Sequence, residues 1–406
     1  LYPTMNLLVP LLHNPQYEIR LFTGPQKKEV AEAAGFTVVP ILEDHIEDFE
    51  RAANNVQQLG VLSAYHQLSA SIDLINLVSD QLLEEWRKNR PDIVIADFIT
   101  LSGGLVANQL GIPWITTMAT QFVLETTDGP PCLIGGMGSP KNSWQATIQF
   151  LGRKATRIVK RIVFFSFRDR LKRYKFKLYN QLGHETIYSP YSILAIGMKE
   201  LELKKGFPEH FRWVGPSGAS VEAGEDYPLD LTPFIERKKV LVTCGTQLAW
   251  AKENLICQAK QLAKAHPECH FFVTRGVGGE AFQCENLMEN LSLVSYLPYK
   301  EYIPKMDYVI HHGGAGIFYQ CIIYGKPALI LPHDYDQFDY AVRGVEAGIA
   351  FTAKRDNSKA IGQAFEELLA KENWPELETL RQAAQSYHPT EILENEIHRL
   401  LANKEK

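Results

Sequence analysis

Apolar residues in this chain alternate between short runs and helical spacing, and the alternation predicts strands and helices in turn. From the amino end, Tyr2 to Leu12 reads as an apolar helix, Tyr17 to Phe22 as a strand, Lys27 to Ala34 as a helix and Phe36 to Pro40 as a strand. Residues 46 to 90 are polar and helical in period. Ile93 to Asp97 is then a short apolar strand that ends on an acid, a helix starts near Ser102, and Gly111-Ile112-Pro113 leads into the strand Trp114 to Thr117. Trp144 to Lys177 has a long helical period, and Ile193 to Gly197 is again a strand. From Ser217 to Pro233 the pattern dissolves into Gly, Ala, Pro and acid, which marks a linker.

The alternation restarts beyond it. Lys239 to Thr243 is a strand, Ala251 to His266 a helix, Cys269 to Thr274 a strand, and Leu293 to Val294 runs into Tyr296 and Pro298. Tyr308 to Ile310, Ala328 to Leu331 and Ile349 to Thr352 are strands, Ile317 to Ile323 is a helix between the first two, and residues 358 to 403 are helical with a break at His388-Pro389. Strands that alternate with helices predict an α/β class with parallel sheets. The two runs and the linker divide the chain into 1–216, 217–236 and 237–385, with a terminal helix over 386–406.

Length agrees with this division, since 406 residues exceed one ordinary core. A net charge of −5 argues against a general nucleic-acid binder. Six cysteines at 132, 244, 257, 269, 284 and 321 form no C-x-x-C pair and no zinc spacing, which suits reduced thiols in cytoplasm. No run of 18 apolar residues suggests a membrane span.

The candidate chemistry is concentrated between Met306 and Gly348. A strand breaks into His311-His312-Gly313-Gly314-Ala315-Gly316, followed by a helix whose free N–H groups and positive dipole end suit a diphosphate. The next strand stops at Pro332, four residues before Asp336-Gln337. In a parallel α/β sheet both features fall at carboxyl ends of strands, facing one crevice. One end of that crevice suits phosphates. The other offers a carboxylate and an amide to sugar hydroxyls.

This order, H-G-G-x-G, then G-x-P, then P-x-x-x-D-Q, resembles the donor-binding signature of family 1 (UDP-glycosyltransferase-like) glycosyltransferases. The resemblance implies two facing Rossmann-like domains (the GT-B fold), an N-terminal acceptor half, a C-terminal nucleotide-sugar half, and a last helix that crosses back onto the first half. It implies an enzyme that moves a sugar from a nucleotide diphosphate sugar, most often UDP-linked, to a hydroxyl of a lipophilic acceptor, with inversion and without a metal or other cofactor. On the resemblance, His312 to Gly316 and Thr246 hold diphosphate, Tyr296 stacks on the base in place of a tryptophan, and Asp336 and Gln337 hold the sugar. Asp97 aligns with an acid that assists a histidine base, and that histidine is expected immediately before Leu1. The other reading of Asp97 is a cap on the next helix, and that of Tyr296 a core tyrosine at a strand end. Asp334 is read as a surface residue although it makes a D-x-D with Asp336.

Two residues depart from the signature. Ile317 stands where Ser or Thr is usual, and Tyr340 where Asn often follows Asp-Gln. Two rival functions remain open: a nucleotide-sugar epimerase or hydrolase of the same fold, and a non-catalytic partner of another transferase. Residues 153 to 177 carry 11 basic side chains and one acid, Asp169, with aromatic residues interleaved. Such a helix either packs on its own domain with a solvated charged face, or makes a peripheral contact with an anionic membrane.

Overall fold

The structure, a computed structural model, describes residues 2–46, 61–217, 228–245, 252–276, 282–334 and 336–402. In the amino half, β1 (Arg20–Thr23) and β2 (Thr37–Pro40) pair in parallel as a two-stranded sheet. β3 (Val94–Asp97), β4 (Trp114–Met118), β5 (Ile193–Ala195) and β6 (Phe211–Trp213) form a second parallel sheet in that order. Every residue of β4 and β5 is buried, as expected of central strands covered on both faces.

The carboxy half builds one seven-stranded sheet. Its strands are β7 (Lys238–Thr243), β8 (Cys269–Thr274), β9 (Cys284–Met288), β10 (Leu291–Val294), β11 (Tyr308–His311), β12 (Ala328–Ile330) and β13 (Ala350–Thr352), in the order β13-β12-β11-β7-β8-β10-β9. All pairs are parallel except the edge strand β9, which runs antiparallel to β10. The α/β class with parallel sheets is thus as expected, with β9 added as an antiparallel edge. The chain leaves β7 in one direction toward β8 and β10, then returns to the other side of β7 as β11. The switch point between β7 and β11 is where such sheets open a crevice at their carboxyl ends.

The last helix, Pro389–Ala402, does not stay with the carboxy half. Leu393, Ile397 and Leu400 are buried in one cluster with Met5, Leu7, Leu8 and Leu11 of the amino end and with Ile115, Leu194 and Val214. The expected linker falls largely on residues 218–227, outside the described residues. The long helix expected to reach Lys177 ends earlier. Helix Ser143–Ser166 stops at Phe167, which turns inward to pack with Ile72, Leu105 and Leu171, and two short turns, Arg168–Leu171 and Lys172–Tyr174, follow.

Candidate active site

β11 ends where its apolar alternation meets His311, and the chain turns through Gly313 in the left-handed region at φ 91°. Helix Ala315–Ile323 starts straight afterwards, two residues earlier than its pattern suggested, and Gly314 precedes it with no side chain capping its first turn. Its leading N–H groups therefore remain to bind an anion.

His312 sits between this turn and the one after β7. A Cβ added at Gly314 would come within 2.5 Å of the imidazole Nε2, and one at Gly245 within 3.0 Å of Cε1. Glycine at both places is what lets the ring lie there. Burial, with His333 nearby, lowers the His312 pKa to about 4, while the Thr243 backbone opposes this. Nδ1 is buried without a hydrogen-bond partner. The ring is thus neutral near pH 7, with its Nε2 edge toward the two turns. His311 does different work. Its Nδ1 accepts a 3.0 Å hydrogen bond from the Gly313 N–H and so closes the turn from behind, and burial takes its pKa down to about 3.

The segment that carries the acid and amide passes close to the turn, since an added Cβ at Gly313 would lie 3.0 Å from the Gln337 backbone carbonyl oxygen. Asp336 precedes helix Gln337–Glu346 and its Oδ2 accepts from the Thr120 hydroxyl at 2.7 Å. Burial raises the Asp336 pKa, and the Thr120 hydrogen bond pulls it back. Gln337 is not free to offer its whole amide. Its Oε1 accepts from the backbone N–H of His333 at 2.8 Å and of Asp334 at 3.1 Å, which fixes the loop after β12 and leaves the NH₂ end for a ligand. Asp334 is accordingly half-buried in that loop, not the surface residue expected.

The remaining expected residues divide. Tyr296 lies just beyond β10, half-buried against the core, at the carboxyl edge of the same sheet. Thr246 falls outside the described residues. Asp97 ends β3, and Oδ2 accepts from the Thr4 hydroxyl at 2.9 Å while Oδ1 accepts from the Ile99 N–H at 3.2 Å. It does not cap the following helix, whose N-cap is Thr100. The hydroxyl that holds it belongs to helix Tyr2–Leu8.

The sequence reading missed Thr120, two residues beyond β4, although a hydroxyl just past the carboxyl end of a central strand is the kind of position that reads as functional. Both departures from the signature are explained by packing. Ile317 is buried in the core beneath the turn. Tyr340 is fully buried, donates to the Ala119 carbonyl at 2.8 Å and packs against Phe122 of the other half with ring centroids 4.7 Å apart. Among the described residues, no group of three or more His, Cys, Asp or Glu is placed to hold a metal ion.

Residues 278–398 match the domain family described as "Erythromycin biosynthesis protein CIII-like, C-terminal domain". The chain is 24% identical over 274 residues to NDP-glycosyltransferase YjiC of Bacillus subtilis (strain 168), a match over 66% of this chain and 62% of that protein, so it spans less than two thirds of that relative. It is 22% identical over 384 residues to 4'-demethylrebeccamycin synthase of Lentzea aerocolonigenes, covering 87% of this chain and 85% of that one. Its fold superposes on the glycotransferase of kitacinnamycin with a TM-score of 0.74 at 18% identity, over 99% of this chain and 96% of that one. The spinosyn rhamnosyltransferase SpnG complexed with thymidine diphosphate gives 0.64 at 16% identity, covering 97% of each chain. With two Rossmann-like halves, a glycine turn at the switch point and Asp336-Gln337 beside it, the chain has the GT-B fold and resembles the family 1 glycosyltransferases.

Proposed function

We propose that the protein transfers a sugar from a nucleotide diphosphate sugar to a hydroxyl of a lipophilic acceptor, with inversion and without a metal. The observation that carries this reading is the close approach of the Gly313 turn to the Gln337 backbone, where an added Cβ would lie 3.0 Å from the carbonyl oxygen. It supports a crevice with a helix end for the anion and Asp336 for the sugar. The acceptor oxygen attacks the anomeric carbon as its proton passes to a base and the bond to the diphosphate oxygen breaks. The departing charge is met by the free N–H groups of helix Ala315–Ile323 and by His312, with Thr246 as a further donor. Asp336 and the NH₂ of Gln337 orient the sugar, and Tyr296 stacks on the base.

The base in this reading is a histidine immediately before Leu1. Asp97 steadies its protonated form, and the Thr4 hydrogen bond supports that role by holding the carboxylate beside the first helix. A lipophilic acceptor is supported by Ile99, Leu133 and Ile134, exposed apolar side chains on the loops that follow β3 and β4. The nucleotide is read as UDP from the signature, whereas SpnG was solved with thymidine diphosphate, so both belong in the test.

Calorimetry with UDP- and TDP-linked sugars should show binding of at least one, and product analysis should show transfer to an added hydroxyl acceptor in excess chelator. Asp336→Ala should cut turnover at least 100-fold, in line with losing about 3 kcal/mol of transition-state contact, while nucleotide binding persists. Conversion of donor without acceptor would favour the epimerase or hydrolase instead. Absence of nucleotide binding would end the reading.

A further inference from the structure

Helix Ser143–Ser166 has its polarity turned outward. Apart from Val163 and Phe164, which join the Ile72 and Leu105 cluster near its end, the side chains facing its own domain are polar: Gln149 Nε2 donates to the Gly138 carbonyl at 2.7 Å, Arg153 reaches the Gly129 carbonyl, and the buried Lys160 lies 2.6 Å from Glu185. Thr156, between them, is buried too. The side chains facing away are Trp144, Ile148, Leu151, Ile158, Ile162 and Phe165, each between 39% and 71% exposed. Their steps of three, four and seven keep them on one line, about 30 Å long at 1.5 Å per residue. A helix that only covered a core would show the opposite arrangement. The line is also longer than any one small acceptor could cover.

Charge identifies what covers it. The helix contains five basic residues and no acid, in a chain whose net charge is −5. Lys154 and Arg161 flank the apolar line, both exposed, in contact with the rings of Phe150 and Tyr179. Lys172, Lys175 and Lys177 continue the exposed basic surface beyond the helix end. Two copies joined through this line would bring like charges together. An anionic sheet satisfies both features at once, with aliphatic and aromatic side chains entering the acyl boundary and bases meeting phosphates.

We propose that helix Ser143–Ser166 seats the protein on an anionic lipid bilayer, lying in the plane of the membrane with Leu151, Ile158 and Ile162 buried in it. This stands on the helix's own geometry and charge, and does not depend on the transferase reading. The exposed surface of the helix thus carries charge at Lys154 and Arg161 beside its apolar line.

The test is co-sedimentation of the purified chain with vesicles of phosphatidylcholine alone and of phosphatidylcholine mixed with phosphatidylglycerol, at two salt concentrations. Binding to the mixed vesicles, weakened by salt, is the expected result. Leu151→Glu with Ile162→Glu should abolish it. Lys154→Glu with Arg161→Glu should lower the partition coefficient about 25-fold or more, at roughly fivefold per basic charge. Both variants should keep the parent's thermal midpoint, because the altered side chains point away from the domain, so lost binding will not reflect unfolding. No binding to either vesicle would overturn the proposal, as would equal binding to both without salt dependence. So would a dimer in sedimentation velocity that Leu151→Glu with Ile162→Glu dissolves.

Discussion

His312 shows what burial does to a single functional side chain. Its pKa of about 4 leaves the ring neutral near pH 7, so it presents no charge to a diphosphate at first. A bound diphosphate favours the protonated ring and raises that pKa. Binding therefore takes up a proton, and affinity for an intact nucleotide sugar should strengthen as pH falls from 8 toward 5. Calorimetry in buffers of different ionisation heat should register the uptake, and His312→Gln should flatten both signals. An intact sugar nucleotide is the right ligand because its diphosphate has no proton to exchange near neutrality. Residue identities alone could place His312 at the turn, since its position relative to the glycines is local. They could not foretell that Gln337 gives its carbonyl oxygen to His333 and Asp334, or that Thr120 reaches Asp336 from 216 residues away. The first is a matter of how one loop turns back on its helix, and the second depends on how the two halves meet.

Helix Gln337–Glu346 joins the Asp336-Gln337 segment to the opposite half along its whole length. Tyr340 holds Ala119. Arg343 forms a 2.7 Å ion pair with Glu202, both almost wholly buried, and its guanidinium lies 3.8 Å from the centre of the Phe122 ring. Glu346 accepts from the Ser139 N–H and hydroxyl, both at 2.7 Å. Arg343→Leu strands the Glu202 carboxylate, and removing one partner of a buried pair costs about 3–5 kcal/mol. The measurable result is a lower denaturant midpoint, most of which Arg343→Leu with Glu202→Leu should restore. Such a helix is legible in sequence as an amphipathic period after Asp336. Its use as a strut is not, because nothing near Arg343 points to Glu202, 141 residues earlier. The early end of helix Ser143–Ser166 was hidden for a similar reason. Phe167 is a fair helix residue until Ile72 and Leu105 offer it a pocket.

Across the whole molecule, the order of strands and helices was readable because each buried strand is a continuous apolar run and each glycine turn interrupts one. The antiparallel β9 escaped because its exposed sequence, Cys284–Met288, has no such run. Stability against acid also belongs to this scale. His270, His311 and His312 are held neutral, with pKa values near 4, 3 and 4, against an ordinary 6.5. Groups with lowered folded values stabilise the fold above pH 6.5 and lose that contribution as pH falls toward 4, since the unfolded chain binds the protons. Asp339, raised to about 6, and Asp336, also raised, work in the opposite sense, but His210 and His333 are lowered too and keep the histidines in the majority. The thermal midpoint should therefore drop between pH 6.5 and 4, and scanning calorimetry across that range would show it.

The burial of Leu393, Ile397 and Leu400 against Met5, Leu8 and Leu11 has a consequence in time as well as in space. Residues 5–11 leave the ribosome well before residues 393–400 and wait for them before their core is closed. A nascent chain thus displays an oily seam on its amino half through that interval, and chaperone demand during synthesis should track it.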